Sequence, residues 1–186
     1  MGFKVGQKVV YPNHGIGIIE QIESKQIGAD ALRFYTLRLA ATNSVVLVPV
    51  ANAGEVGLRP PISSGECEML LKALGDDFTS APCDWKDRFK EFTDRMRTGD
   101  IFEVAAVLKH LTYLSHQKPL SFREQRMLER ARYLVVSELA AVCRKPECNV
   151  TQLVEQALAR ACAKHDRGPA SPTSRSRSAA GATAGH

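Results

Sequence analysis

The sequence predicts an α+β protein of two domains, a small β-barrel of the SH3 or Tudor type followed by an all-α helical domain. Two patterns carry this prediction. Short β-branched and aromatic runs, spaced roughly ten residues apart, fill positions 1–60, whereas apolar residues at helical spacing fill positions 61–166. Pro60-Pro61 stands between the two patterns. Residues 167–186 are rich in Ser, Arg, Ala and Gly and predict a disordered tail.

Four strands are predicted in the first domain, at residues 8–11, 16–24, 32–40 and 44–50. The cluster Pro12-Asn13-His14-Gly15 predicts a turn after the first strand. Gly28-Ala29-Asp30 and Thr42-Asn43 predict hairpin connections. A sheet this small leaves an edge strand exposed unless something covers it, and such an edge can accept a partner strand.

Capping residues mark where the helices of the second domain begin. The predicted N-caps are Ser63 or Ser64, Asp84, Asp100 and Ser121. Glu103 and Glu124 follow Asp100 and Ser121 by three residues, which predicts two capping boxes. A last helix is predicted from Thr151.

Composition excludes several classes of protein. No apolar run approaches the ~20 residues of a membrane span, and Met1–Gly6 lacks the apolar core of a secretory signal. Five irregularly spaced cysteines argue against a disulfide framework and favour a reducing compartment, so we expect a cytoplasmic protein. The net charge of +5 is mild, and residues 61–166 balance sixteen basic against sixteen acidic residues. Any nucleic-acid surface must therefore be a local patch.

Trp85 is the one tryptophan of the chain and begins a predicted helix. Three cations follow it within five residues: Lys86, Arg88 and Lys90. Proteins that distort nucleic acid use cations for the phosphates and an apolar wedge for a base step. The alternative is a core role, because Phe89, Phe92 and Met96 follow Trp85 at helical spacing, and spacing alone favours it.

Arg123, Arg126 and Arg130 are spaced to share one face of the fourth predicted helix. They lie near its start, where backbone N–H groups also favour phosphates. The alternative is an ordinary solvated face with Glu124 and Glu129 as partners. If this helix packs beside the Trp85 helix, the cations of both could form one surface.

Catalytic and metal-binding signals are weak. Cys143, Cys148, Cys162 and His165 are conceivable zinc ligands, but their spacing lacks the tight Cys-x2-Cys pairs typical of zinc sites. The sequence contains no phosphate-binding loop, nucleophile elbow or metalloprotease motif. We therefore expect no enzyme activity, no cofactor and no metal, with a thiol or zinc enzyme kept as an alternative.

The chain resembles the CarD/CdnL family of bacterial transcription regulators. The resemblance begins with Phe3-Lys4-Val5-Gly6-Gln7-Lys8-Val9-Val10-Tyr11-Pro12-Asn13-His14-Gly15, Val48-Pro49-Val50 and Val56-Gly57-Leu58-Arg59. It continues through Asp84-Trp85, Thr98-Gly99-Asp100, Glu103-Val104, Leu120-Ser121, Met127-Leu128 and Ser137-Glu138-Leu139. The similarity covers residues 2 to 160 or so, which makes it far more specific than a single motif.

This resemblance implies a monomer whose Tudor-like domain binds the β subunit of RNA polymerase. The helical domain would bind promoter DNA, without sequence specificity, at the upstream edge of the bubble and stabilise the open complex. Implied polymerase contacts are Lys25, Ile27, Leu37, Leu47 and Pro49. Implied DNA contacts are Trp85 as a minor-groove wedge, Arg88, Lys90, Phe122 and Arg123, with Arg126 nearby. The positions of the cations on the two helices add Lys86 and Arg130 as expected DNA contacts.

Two positions depart from or vary within the family pattern. Some relatives carry lysine where Gln125 stands, and position 47 alternates between basic and apolar residues. The main alternative function is a protein–protein adaptor of RNA polymerase or of a repair factor, without direct DNA contact.

Overall fold

The computed structural model describes residues 2–27, 30–79 and 84–167, and the side chains of Ile27, Asp30 and Trp85 lie outside its description. It has the predicted α+β fold, a curled, half-barrel antiparallel sheet followed by helices. The strands are β1 Lys8–Tyr11, β2 Gly15–Ile27, β3 Asp30–Leu39 and β4 Val45–Pro49, and a 3-10 turn follows at Val50–Asn52. The helices are α1 Ser64–Gly75, α2 Trp85–Arg97, α3 Ile101–Gln117, α4 Phe122–Cys143 and α5 Glu147–Asp166. The predicted hairpin residues Gly28 and Ala29, and the predicted tail beyond Arg167, lie outside the described residues.

The four strands pair in chain order as an antiparallel meander. A register shift between Ile19 and Gln21 marks a β-bulge in β2, and bulges bend a sheet. Alternation along the strands sends one set of side chains into the barrel core, among them Val9, Ile19, Tyr35, Leu37 and Val48. Among the described residues, strand β4 pairs with β3 alone and forms an edge of the sheet.

Local capping chemistry sets most helix starts. Ser63 with Glu66 and Ser121 with Glu124 form complete capping boxes, and the Asp84 side chain caps α2. The predicted capping box at α3 does not form, although Asp100 does cap the helix. Asp100 accepts a hydrogen bond from Phe102 N at 2.8 Å, but the Glu103 carboxylate instead lies 3.6 Å from Arg95 Nη1.

Helix α5 begins at Glu147, four residues before the predicted start at Thr151. Arg144 adopts a left-handed conformation, with φ 53°, and ends α4. Pro146 then stands at the N-cap, where its missing N–H costs nothing, so the chain turns directly into the next helix.

A buried ion pair joins the end of the first domain to α4. Arg59 donates through Nη1 and Nη2 to the Glu138 carboxylate, at 2.7 and 2.8 Å, and its Nε donates to Gly99 O at 2.9 Å. Glu138 also accepts from Ile62 N at 3.0 Å and is only 2% exposed. The Arg59 backbone pairs with Val10 of β1, so one residue connects the sheet, the linker and α4.

The β1–β2 turn packs directly on the helical domain. Gly99 has φ +73°, and a Cβ there would lie 2.9 Å from Pro12 Cγ. Gly15 has φ +85°, and a Cβ there would lie 3.2 Å from Tyr133 Cε1. The cavity left at this junction measures about 10 Å³, roughly the space of one water. The two domains are therefore closely packed against each other at this turn.

Candidate nucleic-acid interface

Helix α2 and the first half of α4 form the walls of an open groove of about 540 Å³. Its apolar lining comes from Phe89, Met96 and Met127, and Phe122 stands at its edge. The remaining lining residues are polar or cationic: Asn13, Thr93, Arg97, Arg123, Arg126 and Arg130. We call this site the arginine groove. An apolar surface bordered by arginines suits a ligand with both apolar and anionic parts.

The four arginines of the groove are exposed, and within the described part of the chain none of them pairs with a carboxylate. Elsewhere in the molecule arginines do pair with glutamates, namely Arg38, Arg59, Arg88, Arg95 and Arg132. The groove arginines therefore leave a positive potential that an anionic ligand can neutralise.

Phe122, at the first position of α4, is 74% exposed. The guanidinium carbon of Arg126 lies 5.4 Å from the centroid of its ring, which is within the range of a cation–π contact. An exposed ring beside a cation is the arrangement on which single-stranded nucleic acid stacks. The groove thus combines an aromatic surface with four cations.

Arg88 corrects one sequence-based expectation, because its side chain does not face solvent. It is 6% exposed, and its Nη2 lies 3.2 Å from Glu124 Oε1. The same carboxylate accepts from Ser121 N at 2.9 Å and from Ser121 Oγ at 2.7 Å. Arg88 therefore fastens the first turn of α2 to the N-terminus of α4 and shapes the groove, instead of offering its charge to phosphates.

The pKa of Glu124 reflects this environment. Burial alone would raise it, but the hydrogen bonds from Ser121 and the guanidinium of Arg88 lower the pKa below its ordinary value of 4.5. The carboxylate is therefore charged at neutral pH, and the link between α2 and α4 is an ion pair.

Trp85 is the first residue of α2, and its side chain lies outside the described residues. The wedge role therefore stays a prediction. The contact of Arg88 with Glu124 places the start of α2 beside the start of α4, so the backbone of Trp85 lies near that end of the arginine groove. Lys86 and Lys90 are exposed on the same helix.

The residues implied as polymerase contacts divide between the two faces of the sheet. Leu47 and Pro49 on β4 pair with Thr36 and Phe34, and Lys25 pairs with Leu32, so these side chains share the outer face. Leu47 is 45% exposed, Pro49 is half-buried, and Lys25 is exposed and lies 3.5 Å from Glu23.

Leu37 does not fit the implied polymerase surface. It belongs to the opposite register, is 0% exposed and packs in the barrel core. Its implied side-chain contact with a partner is therefore corrected, because period-two alternation turns it inward. The side chain of Ile27 lies outside the described residues.

The conceivable zinc ligands do not form a metal site among the described residues. Cys162 is buried on α5, while His165 Nδ1 lies 2.9 Å from Asp77 Oδ1 and its ring stacks on Phe78. Among the described residues, no three His, Cys, Asp or Glu side chains are placed to hold a metal ion. Burial, together with the neighbouring thiol of Cys143, raises the pKa of Cys67 to about 12, which keeps that thiol protonated.

Six groove residues were not predicted from the sequence as site residues: Asn13, Phe89, Thr93, Met96, Arg97 and Met127. Asn13 was assigned to a turn, and Arg97 lies at the end of α2, twelve residues after Trp85. Helical spacing from Phe89 and Thr93 could have indicated Arg97. No local signal could have indicated Asn13, because its approach to α4 depends on how the domains pack.

Comparison with known proteins agrees with this architecture. A family model described as CarD, C-terminal domain, matches residues 63–155, and one described as CarD-like/TRCF RID domain matches residues 3–62. A protein of Bacillus subtilis (strain 168), named "Putative transcription factor YdeB", is 31% identical over 140 residues, which cover 75% of this chain and 92% of that protein.

These matches define the class of protein as a transcription regulator associated with RNA polymerase. The chain belongs to the CarD family. Among the described residues, no helix is both long and apolar enough to cross a membrane.

Proposed function

We propose that this protein is a non-enzymatic regulator that stabilises the open promoter complex. Its N-terminal domain binds the β subunit of RNA polymerase, and its helical domain binds promoter DNA at the upstream edge of the bubble. Trp85 acts as a wedge in the minor groove, and the arginine groove holds the sugar–phosphate backbone beside it. The protein acts as a monomer in the cytoplasm and associates with the nucleoid by binding RNA polymerase.

The observation that carries the proposal is the arginine groove itself. Four exposed arginines without carboxylate partners, among the described residues, surround an apolar lining next to the start of α2. Phosphates would meet the cations, while sugars or exposed bases would meet Phe122 and the apolar lining. The cores of protein–protein interfaces are depleted of charged residues, so this much uncompensated positive charge favours an anionic ligand.

A groove with few cations gives DNA affinity that is modest and sensitive to salt. The proposed contact with polymerase compensates, because tethering raises the effective concentration of the DNA site. A wedge also binds more favourably where base steps are already unstacked, as at a bubble edge, because part of the unstacking cost has already been met. A protein that binds the melted state more tightly shifts the equilibrium from closed to open complex by the ratio of the two affinities.

The outer face of the sheet supports the polymerase contact. Strand β4 has a free edge, and Val45 and Leu47 are 49% and 45% exposed on it. Exposed apolar side chains on an unpaired strand edge suit the addition of a partner strand. Leu47→Glu should weaken capture of the β subunit while leaving DNA binding by the isolated protein unchanged.

The lifetime of the open complex on one promoter tests the proposal. We expect the wild type to lengthen it, and Trp85→Ala to shorten it again while capture of the β subunit is retained. Phe102→Leu offers a control, since it changes a half-buried aromatic residue of the helical domain that does not line the arginine groove. An equal lifetime with Trp85→Ala and wild type would remove the wedge from the mechanism.

Crosslinking from position 85 to promoter DNA in the polymerase complex separates this function from an adaptor that binds protein only. A crosslink to the DNA upstream of the melted region supports the proposal. Crosslinks to polymerase alone would favour the adaptor.

A further inference from the structure

The N-terminal domain contributes a residue to the wall of the arginine groove. Asn13 lies in the β1–β2 turn, is half-buried, and lines the groove together with residues of α2 and α4. No described residue hydrogen-bonds to its side-chain amide, whose capacity comprises two N–H donors and one acceptor. A half-buried amide without a partner in a cationic groove is free to bind a ligand.

The position of Asn13 is fixed from both sides. Pro12 packs on Gly99 at the end of α2, and Gly15 packs on Tyr133 of α4. The turn is closed by a hydrogen bond from His14 N to Tyr11 O at 2.9 Å, and the rings of these two residues stack with centroids 4.9 Å apart. The amide is therefore presented to the groove by a constrained turn, which limits the entropy lost on binding.

The positive potential of α4 reaches this turn. The pKa of His14 is lowered by burial and, in addition, by the nearby charge of Arg130. Arg130 also lines the arginine groove, so the cationic surface continues from α4 to the residues beside Asn13.

We propose that the DNA-binding groove is shared by both domains, and that the Asn13 amide donates a hydrogen bond to a phosphate of the strand held by the groove arginines. Asparagine amides commonly contact DNA phosphates, and the neighbouring arginines would already place the strand there. This inference rests on the proposed function. It implies that the domain holding polymerase also touches DNA, so the complete groove exists only while the two domains are docked.

A pair of matched variants of the full-length protein tests the inference. Asn13→Asp and Asn43→Asp add the same charge at turn residues of the same domain, and both positions have positive φ, 62° and 54°. Asn43 accepts a hydrogen bond from Arg38 through Oδ1 and its backbone oxygen, and aspartate keeps both acceptors. Asn13→Gly is a third variant, because glycine tolerates positive φ but lacks the amide.

Affinity for a labelled fork-junction duplex is the measurement. Asn13→Asp should bind roughly three- to tenfold more weakly than wild type, as expected for the loss of one contact, and Asn43→Asp should stay within about twofold of wild type. The affinity of Asn13→Gly for the duplex should lie between those of the two aspartate variants. Denaturant unfolding and capture of the β subunit should be alike for the two aspartate variants.

The outcomes distinguish the inference from the proposed function. Equal DNA affinity for Asn13→Asp and Asn43→Asp, with weaker binding by Arg126→Ala, overturns the inference and leaves the proposed function standing. Unchanged affinity in Arg126→Ala as well overturns both. Weaker binding by Asn13→Asp, with capture of the β subunit intact, supports the shared groove.

Discussion

Arginines serve two different purposes in the two parts of this molecule. Arg59 at the domain junction and Arg88 between α2 and α4 are paired with glutamates that are 2% and 13% exposed, respectively. In the arginine groove, Arg123, Arg126 and Arg130 are exposed and, within the described residues, have no carboxylate partner. An arginine therefore stabilises the fold where it pairs with a buried carboxylate. Where an arginine has no such partner, its charge is available to bind a ligand.

The largest expected effect comes from the ion pair at the junction. Glu138→Gln leaves Arg59 without its charged partner and should lower the free energy of unfolding by about 3 kcal/mol. We expect the lower end of the usual range because the Arg59 side chain is 26% exposed. Denaturant unfolding measures the change. Glu129→Gln, an exposed change on the same helix, should shift stability by less than about 0.5 kcal/mol.

The second ion pair should be somewhat weaker and should depend on pH. Glu124→Gln should cost about 2 kcal/mol at pH 7, because charged hydrogen bonds from Arg88 and Ser121 are lost. The folded pKa of Glu124 lies below the ordinary 4.5, so its contribution is complete above that pH and disappears as the pH falls below it. The free energies of unfolding of wild type and Glu124→Gln, measured across this pH range, should therefore become equal in acid. A difference that stays constant at all pH values would show that Glu124 acts by packing alone.

An arginine of the groove should show the opposite behaviour. Arg126→Ala removes only an exposed cation–π contact from the fold, so the free energy of unfolding should fall by less than about 1 kcal/mol. DNA binding should weaken, and the dependence of log affinity on log salt should become shallower by about 0.9 for one lost phosphate contact. An unaltered salt slope would remove Arg126 from the interface. Arg132→Ala, which breaks an exposed ion pair with Glu155, serves as the matched control.

The smallest effect concerns the thiols and leaves both arginine sites untouched. Cys148 is exposed, whereas Cys67 is buried with its pKa raised to about 12. A disulfide reagent at mildly alkaline pH should therefore modify Cys148 quickly and Cys67 only on unfolding. Mass mapping of the modified cysteines checks this order. Rapid modification of Cys67 in the folded protein would contradict the burial on which its pKa depends.

Much of the fold could be read from local chemistry. The β1 bounds, the Ser63 and Ser121 caps and the Asp84 cap follow from side chains within a few residues of each element. One failure came from a partner outside the predicted motif. Glu103 does not form its predicted capping box, because its carboxylate lies close to Arg95 on α2 instead.

The candidate site could be predicted only in part for the same reason. Helical spacing grouped Arg123, Arg126 and Arg130 correctly, since all three lie on one helix. The burial of Arg88 and of Leu37 was not visible, because it depends on Glu124 of another helix and on the register of three strands. The sequence alone does not show whether a charged or apolar side chain is exposed for binding, because exposure depends on the residues that pack against it.

The sequence by itself determined the two-domain α+β class, most of the elements and the family, because periodicity, capping and motif order are properties of neighbouring residues. Tertiary structure alone decided which arginines are neutralised and which residues meet at the groove. The physical reason is that an ion pair or a shared groove depends on distances across the fold, such as the 79 positions that separate Arg59 from Glu138. The placement of Asn13 beside α4 belongs to the same category, since it exists only through the contacts of Pro12 and Gly15 with the helical domain.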